Sequence, residues 1–204
     1  MVTSTPAAAP TVQLCFDVHG DALLARDPFA LVTGMLLDQQ MPMERAFLGP
    51  WKLAERMGTP KALHVARIAA YDPDEFAALV AIPPAVHRFP SSMAGRIQGL
   101  AQHVLTEYAG DTAALWRAVP TGSALYHRLV AIPGYGDQKS RILVALLGKQ
   151  FGVRPRGWRD AAGSYGDRGS HRSVADVVDK ASLAAVRQFK QETKAAARSA
   201  GSGR

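Results

Sequence analysis

Leu129-Val130-Ala131-Ile132-Pro133-Gly134-Tyr135-Gly136-Asp137-Gln138-Lys139-Ser140 decides the reading of this chain. An apolar helix end runs into a Pro-Gly-x-Gly turn, and the turn runs into a second apolar helix expected from Asp137 to about Phe151. The two glycines supply the unusual φ angles of a tight turn and leave its backbone uncovered. Successive N–H groups, joined by those at the N-terminus of the following helix, can close on one phosphate oxygen. Nothing in the turn reads a base edge, so it would hold a nucleic-acid backbone regardless of sequence. A plain corner between two helices is the competing reading of the same letters.

Charge sharpens the choice. Residues 1–136 carry 10 Lys/Arg and 11 Asp/Glu, whereas residues 137–204 carry 14 and 6. The basic excess of the chain, +7 in all, therefore begins at the turn. Such a step favours an anionic partner docking on one side, with nucleic acid the leading candidate. Cys15 is the single cysteine, which excludes a disulfide within the chain, Cys-ligated zinc and a four-cysteine iron–sulfur cluster. The histidines lack ligand spacing, so no side-chain metal site is expected. No signal peptide and no membrane-length apolar run is seen, and the expected location is cytoplasmic, with the protein a monomer.

Helical patterns fill the rest, and the expected class is all-α. Residues 1–11 read as a disordered lead-in and 199–204 as a flexible tail, around a helical unit at 12–198. Val12–Phe16 reads as a short strand or a buried extended segment. Asp27-Pro28 starts a central helix, with Asp as cap and Pro in its first turn. Helix resumes after Met41-Pro42 and stops at Gly58. Further helices are expected at Pro60–Ala70, Asp72–Ile82, Ser91–Tyr108, around Leu115-Trp116, at Ser123–Ala131 and at Ser182–Ala197. Residues 152–175 lack a period and read as a long loop. One echo stands out: Leu79-Val80-Ala81-Ile82-Pro83-Pro84 repeats, with one change, as Leu129 to Gly134. The first copy reads as a degenerate turn, because Pro84 has no N–H to give.

Several segments, in order, carry a resemblance. Leu36-Leu37-Asp38-Gln39-Gln40 resembles the Leu-Leu-Ser-x-Gln or Ile-Ser-Gln-Gln element of the HhH-GPD base excision repair DNA glycosylases. His87 to Ile97 is similar to their Gly-Phe/Tyr-x-x-Lys-Ala-x-x-Ile segment, Ile132–Gly136 to their helix-hairpin-helix, and Phe151-Gly152 to the pair before their catalytic loop. The likeness spans roughly residues 27 to 160, without the iron–sulfur cysteines of endonuclease III. It implies two helical lobes with the hairpin at a cleft, double-stranded DNA containing a damaged base as partner, and flipping of that base before its N-glycosidic bond is cut.

The resemblance also implies roles. The hairpin residues Ile132, Gly134, Tyr135, Gly136 and Lys139 would hold the DNA backbone, with a monovalent cation on the hairpin carbonyls as an option. Gln39, Gln40 and Met41 would fill the gap left by the flipped base. The family's Asp follows the second hairpin helix, and the matching position is Arg159. Asp160, one residue on, is therefore the candidate catalytic carboxylate, with a helix N-cap as its other reading. Asp167 and the more distant Asp176 are substitutes. Trp158, beside Asp160, is the candidate pocket aromatic. Members that also cut the abasic strand place Lys where this chain has Gln138. One step along a helix turns a side chain by about 100°, so Lys139 is expected to point to phosphate or solvent. The implied enzyme is monofunctional and uses water, with a lyase using Lys139 as the alternative. A catalytically silent DNA-binding scaffold, or an all-α module whose basic terminal helix binds RNA or an acidic protein, are the readings from other classes.

Overall fold

The computed structural model describes residues 11–201, with side chains through 199. Residues 1–10 of the expected lead-in lie outside the described residues, as do residues 202–204. Val12–Phe16 forms no strand: it bends at Leu14–Phe16, with Phe16 at φ 58°, and it buries Val12, Leu14 and Cys15. Its Leu14 and Cys15 N–H groups donate to the Asp21 carboxylate at 2.8 and 2.9 Å. Asp21 stands in the first helix, α1 (Val18–Arg26), where the apolar pattern predicts none. Only Leu23 and Leu24 of its larger apolar side chains are buried. The local signal is the cap, Asp17, which accepts the His19 and Gly20 N–H groups.

Asp27 caps α2 (Pro28–Leu37) as read from the sequence, accepting the Phe29 and Ala30 N–H groups. Every residue of α2 from Phe29 to Leu37 is buried, so this helix is the axis of the molecule. Met43–Arg56 forms α3, which ends at Met57 and Gly58, the latter at φ 68°. The helix expected at Pro60–Ala70 shortens to α4 (Val65–Ala69). The reason is tertiary. Asp27 also takes the Leu63 N–H at 2.7 Å, while Arg26 holds the carbonyls of Pro60 and Lys61, which keeps the approach to α4 non-helical. Helices α5 (Pro73–Ala81) and α6 (Pro90–Tyr108) follow, and α4 and α5 pack on α6.

A 3₁₀ turn at Thr112–Leu115 leads to the second group of helices: α7 (Gly122–Val130), α8 (Asp137–Gln150) and α9 (Trp158–Ala162). The loop expected at 152–175 is therefore more structured than its lack of period suggests. Trp158 pins α9 between α7 and α8. A Cβ on Gly148 would lie 2.4 Å from the Trp158 ring, and one on Gly122 would lie 2.5 Å from the Trp158 Cα. Two 3₁₀ turns, Gly163–Gly166 and Val174–Asp176, complete this region. The terminal helix α10 runs Lys180–Gly201, so residues 199–201 continue a helix rather than a loose tail. Among the described residues there is no strand, only an isolated bridge between Thr121 and Arg156. The class is all-α. None of these helices is long and apolar enough to cross a membrane.

Candidate nucleic-acid interface

The hairpin is built from two buried side chains and one obligate glycine. Ile132 is 1 % exposed and Tyr135 is 6 % exposed. The Tyr135 hydroxyl donates to the Val32 carbonyl at 2.7 Å, which fastens the turn to the middle of α2. Burial also pushes the Tyr135 phenol well above its usual value. Gly134 sits at φ 83°, and a Cβ there would meet Leu36 Cδ1 at 2.8 Å. Gly136 differs from the sequence expectation. At φ −104° its conformation is open to any residue, and a Cβ there would meet nothing within 4 Å.

The hairpin's outward face is therefore backbone. The Tyr135 N–H is spent on the Ile132 carbonyl, whereas the Gly134 and Gly136 N–H groups have no acceptor among the described residues. The first N–H to find a partner within α8 is that of Ser140, on the Gly136 carbonyl. The N–H groups of Asp137, Gln138 and Lys139 are thus the unmet donors of a helix N-terminus. The Asp137 carboxylate turns aside, accepting from the Tyr126 hydroxyl and from Arg141, both at 2.7 Å. These bonds hold its pKa below the usual carboxylate range. An anion approaching the turn thus meets backbone donors rather than an unpaired acid.

Lys139 points elsewhere than predicted. Its ammonium donates to the Met35 and Leu36 carbonyls at 2.8 and 2.9 Å, capping the C-terminal end of α2. Burial lowers the Lys139 pKa to about 8, against the pull of nearby Asp38. The sequence reading missed the reason, because unmet carbonyls from a helix a hundred residues away leave no local pattern. Gln138, the preceding residue, donates from its amide to the Tyr165 hydroxyl at 2.9 Å.

The loop after α2 lies beside this turn. Asp38 ends α2, half-buried, and burial raises its carboxyl pKa against the opposing charges of Lys190 and Lys139. Gln39 is held on every side: its amide donates to the Leu36 carbonyl at 2.8 Å, and its side-chain oxygen accepts from Arg96 at 3.1 Å. His87, fully buried, completes the grip. The Phe89 N–H donates to His87 Nδ1, so Nε2 carries the proton and donates to the Gln39 carbonyl at 3.0 Å. Gln40 is exposed at φ 54°, at the tip of the loop, and Met41 is half-buried. Phe89, 43 % exposed beneath the Arg88 guanidinium, stands next to this tip. Arg96 and Asp38 are the residues here to which the sequence reading gave no role.

The remaining acids occupy different surroundings. Asp160 is exposed in a hollow of about 440 Å³ with Tyr126, His127, Arg141 and Arg156. It caps nothing: Gly157 is the N-cap of α9, without a side-chain bond. Asp167 follows the 3₁₀ turn at Gly163–Gly166 and lines a separate hollow with Arg168, Arg172 and Phe189. Asp176 is fully engaged, with Lys149 at 2.5 Å and Ser170 at 2.9 Å on one oxygen and two backbone N–H groups on the other. Trp158, expected to face a pocket, is 8 % exposed and belongs to the core. Two residues apart on α8, Lys139 and Arg141 differ by about 200°. The structure thus sets Asp160, beside Arg141, on the flank of α8 opposite to the one that Lys139 and Asp38 share. Among the described residues no three His, Cys, Asp or Glu side chains are gathered as metal ligands.

The profile of the HhH-GPD superfamily base excision DNA repair proteins matches residues 33–201, from the middle of α2 to the end of α10. The chain belongs to this superfamily. Neither the curated proteins nor the solved structures gave a match. The superfamily match covers the Gln39–Met41 loop, the hairpin and the helices that hold both.

Proposed function

We propose that the protein is a monofunctional DNA glycosylase, which flips a damaged base from duplex DNA and hydrolyses its N-glycosidic bond with water. Membership of a base excision repair family supports the glycosylase class. The observation that carries the water-using half is the pair at the start of α8. Gln138, at the position of the family's lyase lysine, hydrogen-bonds Tyr165, and the neighbouring Lys139 is engaged by two α2 carbonyls. Neither supplies a free amine to the sugar.

In such a reaction the C1′–N bond breaks with its electron pair leaving on the base. The sugar gains oxocarbenium character, water adds to C1′, and the proton it releases balances the departing base. A carboxylate near C1′ stabilises the cationic sugar and accepts the water's proton. Asp160 is the acid we assign to this role. It follows α8 in the chain, it is exposed, and it has no capping duty. Asp160→Asn is expected to lower single-turnover base release by about 10² to 10⁴ while DNA affinity holds or rises, because an anion leaves a phosphate-rich interface. Full activity in Asp160→Asn, together with loss in Asp38→Asn, would move the carboxylate to the α2 flank. A borohydride-trapped adduct that disappears in Lys139→Ala would overturn the water-using assignment.

A further inference from the structure

The two halves of α10 have different surroundings. Leu183 and Val186 seat the first half on the body, and Arg187 pairs with Glu44 at the start of α3. From Lys190 through Ser199 every side chain is exposed. At 1.5 Å per residue, residues 190–199 extend the helix by roughly 15 Å without a packed face.

That half is patterned nonetheless. Lys190, Lys194 and Arg198 recur every fourth residue, which keeps them within about 80° of arc. Glu192, the one acid of the stretch, is about 200° from Lys190 and engages Gln188 at 2.8 Å. Neither Lys194 nor Arg198 has an acidic partner among the described residues. Like charges four apart on a helix repel by a few tenths of a kcal/mol each. An isolated helix of this length is already marginal in water. Lys190 has Asp38 nearby and Arg198 gains from the helix dipole in the last turn, but the track from Lys190 to Arg198 carries no anion of its own along its exposed face. A merely solvated face would more economically alternate its signs.

The root of the stripe fixes where that anion would lie: Arg187, three residues before Lys190, pairs with Glu44 in the first turn of α3, directly after the Gln39–Met41 loop. Lys190 is the cation that acts most strongly on Asp38, and Lys139 of the hairpin helix is the next. Asp38 adjoins the Gln39–Met41 loop, which Arg96 and Arg88 flank through Gln39 and Gln40. Loop, hairpin and the base of the arm thus meet at one place, and the positive track continues outward along α10.

We propose that residues 190–199 form an arm that lies along the DNA backbone beside the hairpin, with Lys190, Lys194 and Arg198 on phosphates. The inference rests on the DNA-repair reading and extends it to a segment that neither the hairpin nor the Gln39–Met41 loop requires. The test compares the full chain with a triple variant, Lys190→Gln, Lys194→Gln and Arg198→Gln, which leaves the buried residues untouched. Binding to duplexes of about 10 and about 25 base pairs is measured by fluorescence anisotropy over a salt series. Each phosphate contact contributes about 0.9 to the slope of log affinity against log salt. The variant is expected to lose about 2 to 3 from that slope, and to lose the wild type's preference for the longer duplex. A second variant, Lys190→Arg with Lys194→Arg, should keep both. An unchanged slope in the triple variant, with wild-type duplex binding intact, overturns the arm and leaves the DNA reading standing. A wild type without salt-dependent duplex binding overturns the DNA reading and the arm with it.

Discussion

The carbonyls of Leu79–Pro84 are gathered by a guanidinium, whereas the turn that closes Leu129–Gly134 leaves the Gly134 and Gly136 N–H groups without an acceptor among the described residues. The two stretches differ by one letter, yet they face the core in different phases. Val80 is buried in the first and Leu129 in the second, a shift of one residue along the repeated sequence. The shift turns Ile82 outward, 46 % exposed, and Ile132 inward, 1 % exposed. Around the first turn the Arg56 guanidinium, from α3, gathers the carbonyls of Leu79, Val80, Ile82 and Pro84. Around the second, Tyr135 ties the turn to α2, and α8 follows at once with its own unmet donors. The lesson is that a six-residue motif does not carry the phosphate grip. The grip needs Gly134 in its left-handed conformation, an anchor below it, and a helix N-terminus directly after it.

The largest expected contrast is between the two isoleucines. Ile132→Ala should destabilise the fold by about 2–5 kcal/mol, because a buried branched side chain leaves a cavity. Ile82→Ala, at an exposed position, should change stability by no more than about 0.5 kcal/mol. Chemical denaturation of both variants measures the pair, and equal losses would erase the distinction drawn between the turns.

The capping groups come next. Arg56→Met should cost about 1.5–3 kcal/mol through the carbonyls it strands, with duplex affinity unchanged. Gly136→Asp should do the reverse. Nothing lies within 4 Å of its Cβ, so the fold should hold, while a carboxylate at the donor cluster should weaken binding about tenfold. The loss should be the same for all sequences, since phosphate contacts carry no sequence information. A loss confined to some sequences would show that the hairpin reads bases.

The subtlest expectation concerns pH. Lys139 releases its proton near 8 in the folded chain and near 10.5 when unfolded. Below pH 8 both states hold the proton, and the cost of burying the charge is present in full. As pH rises from about 8 to about 10.5 the unfolded state binds more protons, so this group's cost is relieved and stability rises. A side-chain NMR titration should place Lys139 near 8. Asp38→Asn should move it lower still, because the acid opposes the effect of burial. A Lys139 pKa near 10.5 would mean that the ammonium is not seated on α2.

What could be read from the letters was local. The Asp27-Pro28 and Asp72-Pro73 starts, the stop at Gly58 and the apolar helices on either side of the hairpin are set by neighbours within a turn. What the letters concealed depends on distant packing. Helix α9 exists because Trp158 meets Gly122 and Gly148, which have no side chains to obstruct it. The direction of Lys139 was set by the end of α2, and the fate of Asp176 by Lys149 and Ser170. The resemblance makes Gln39 a filler of the gap left by a flipped base, and only the fold shows His87 and Arg96 converging on it. The superfamily was legible because its segments recur in order. The orientation of its candidate site residues was not, because side-chain direction follows from partners rather than from spacing.

The central claim is that this chain releases a damaged base by hydrolysis, and a panel of duplexes with single defined lesions tests it most directly. Free base is expected from at least one alkylated, deaminated or oxidised substrate, with an abasic site that breaks only after alkali and no adduct on borohydride treatment. Duplex binding with every lesion left uncut would contradict it, leaving a scaffold that holds DNA without the chemistry.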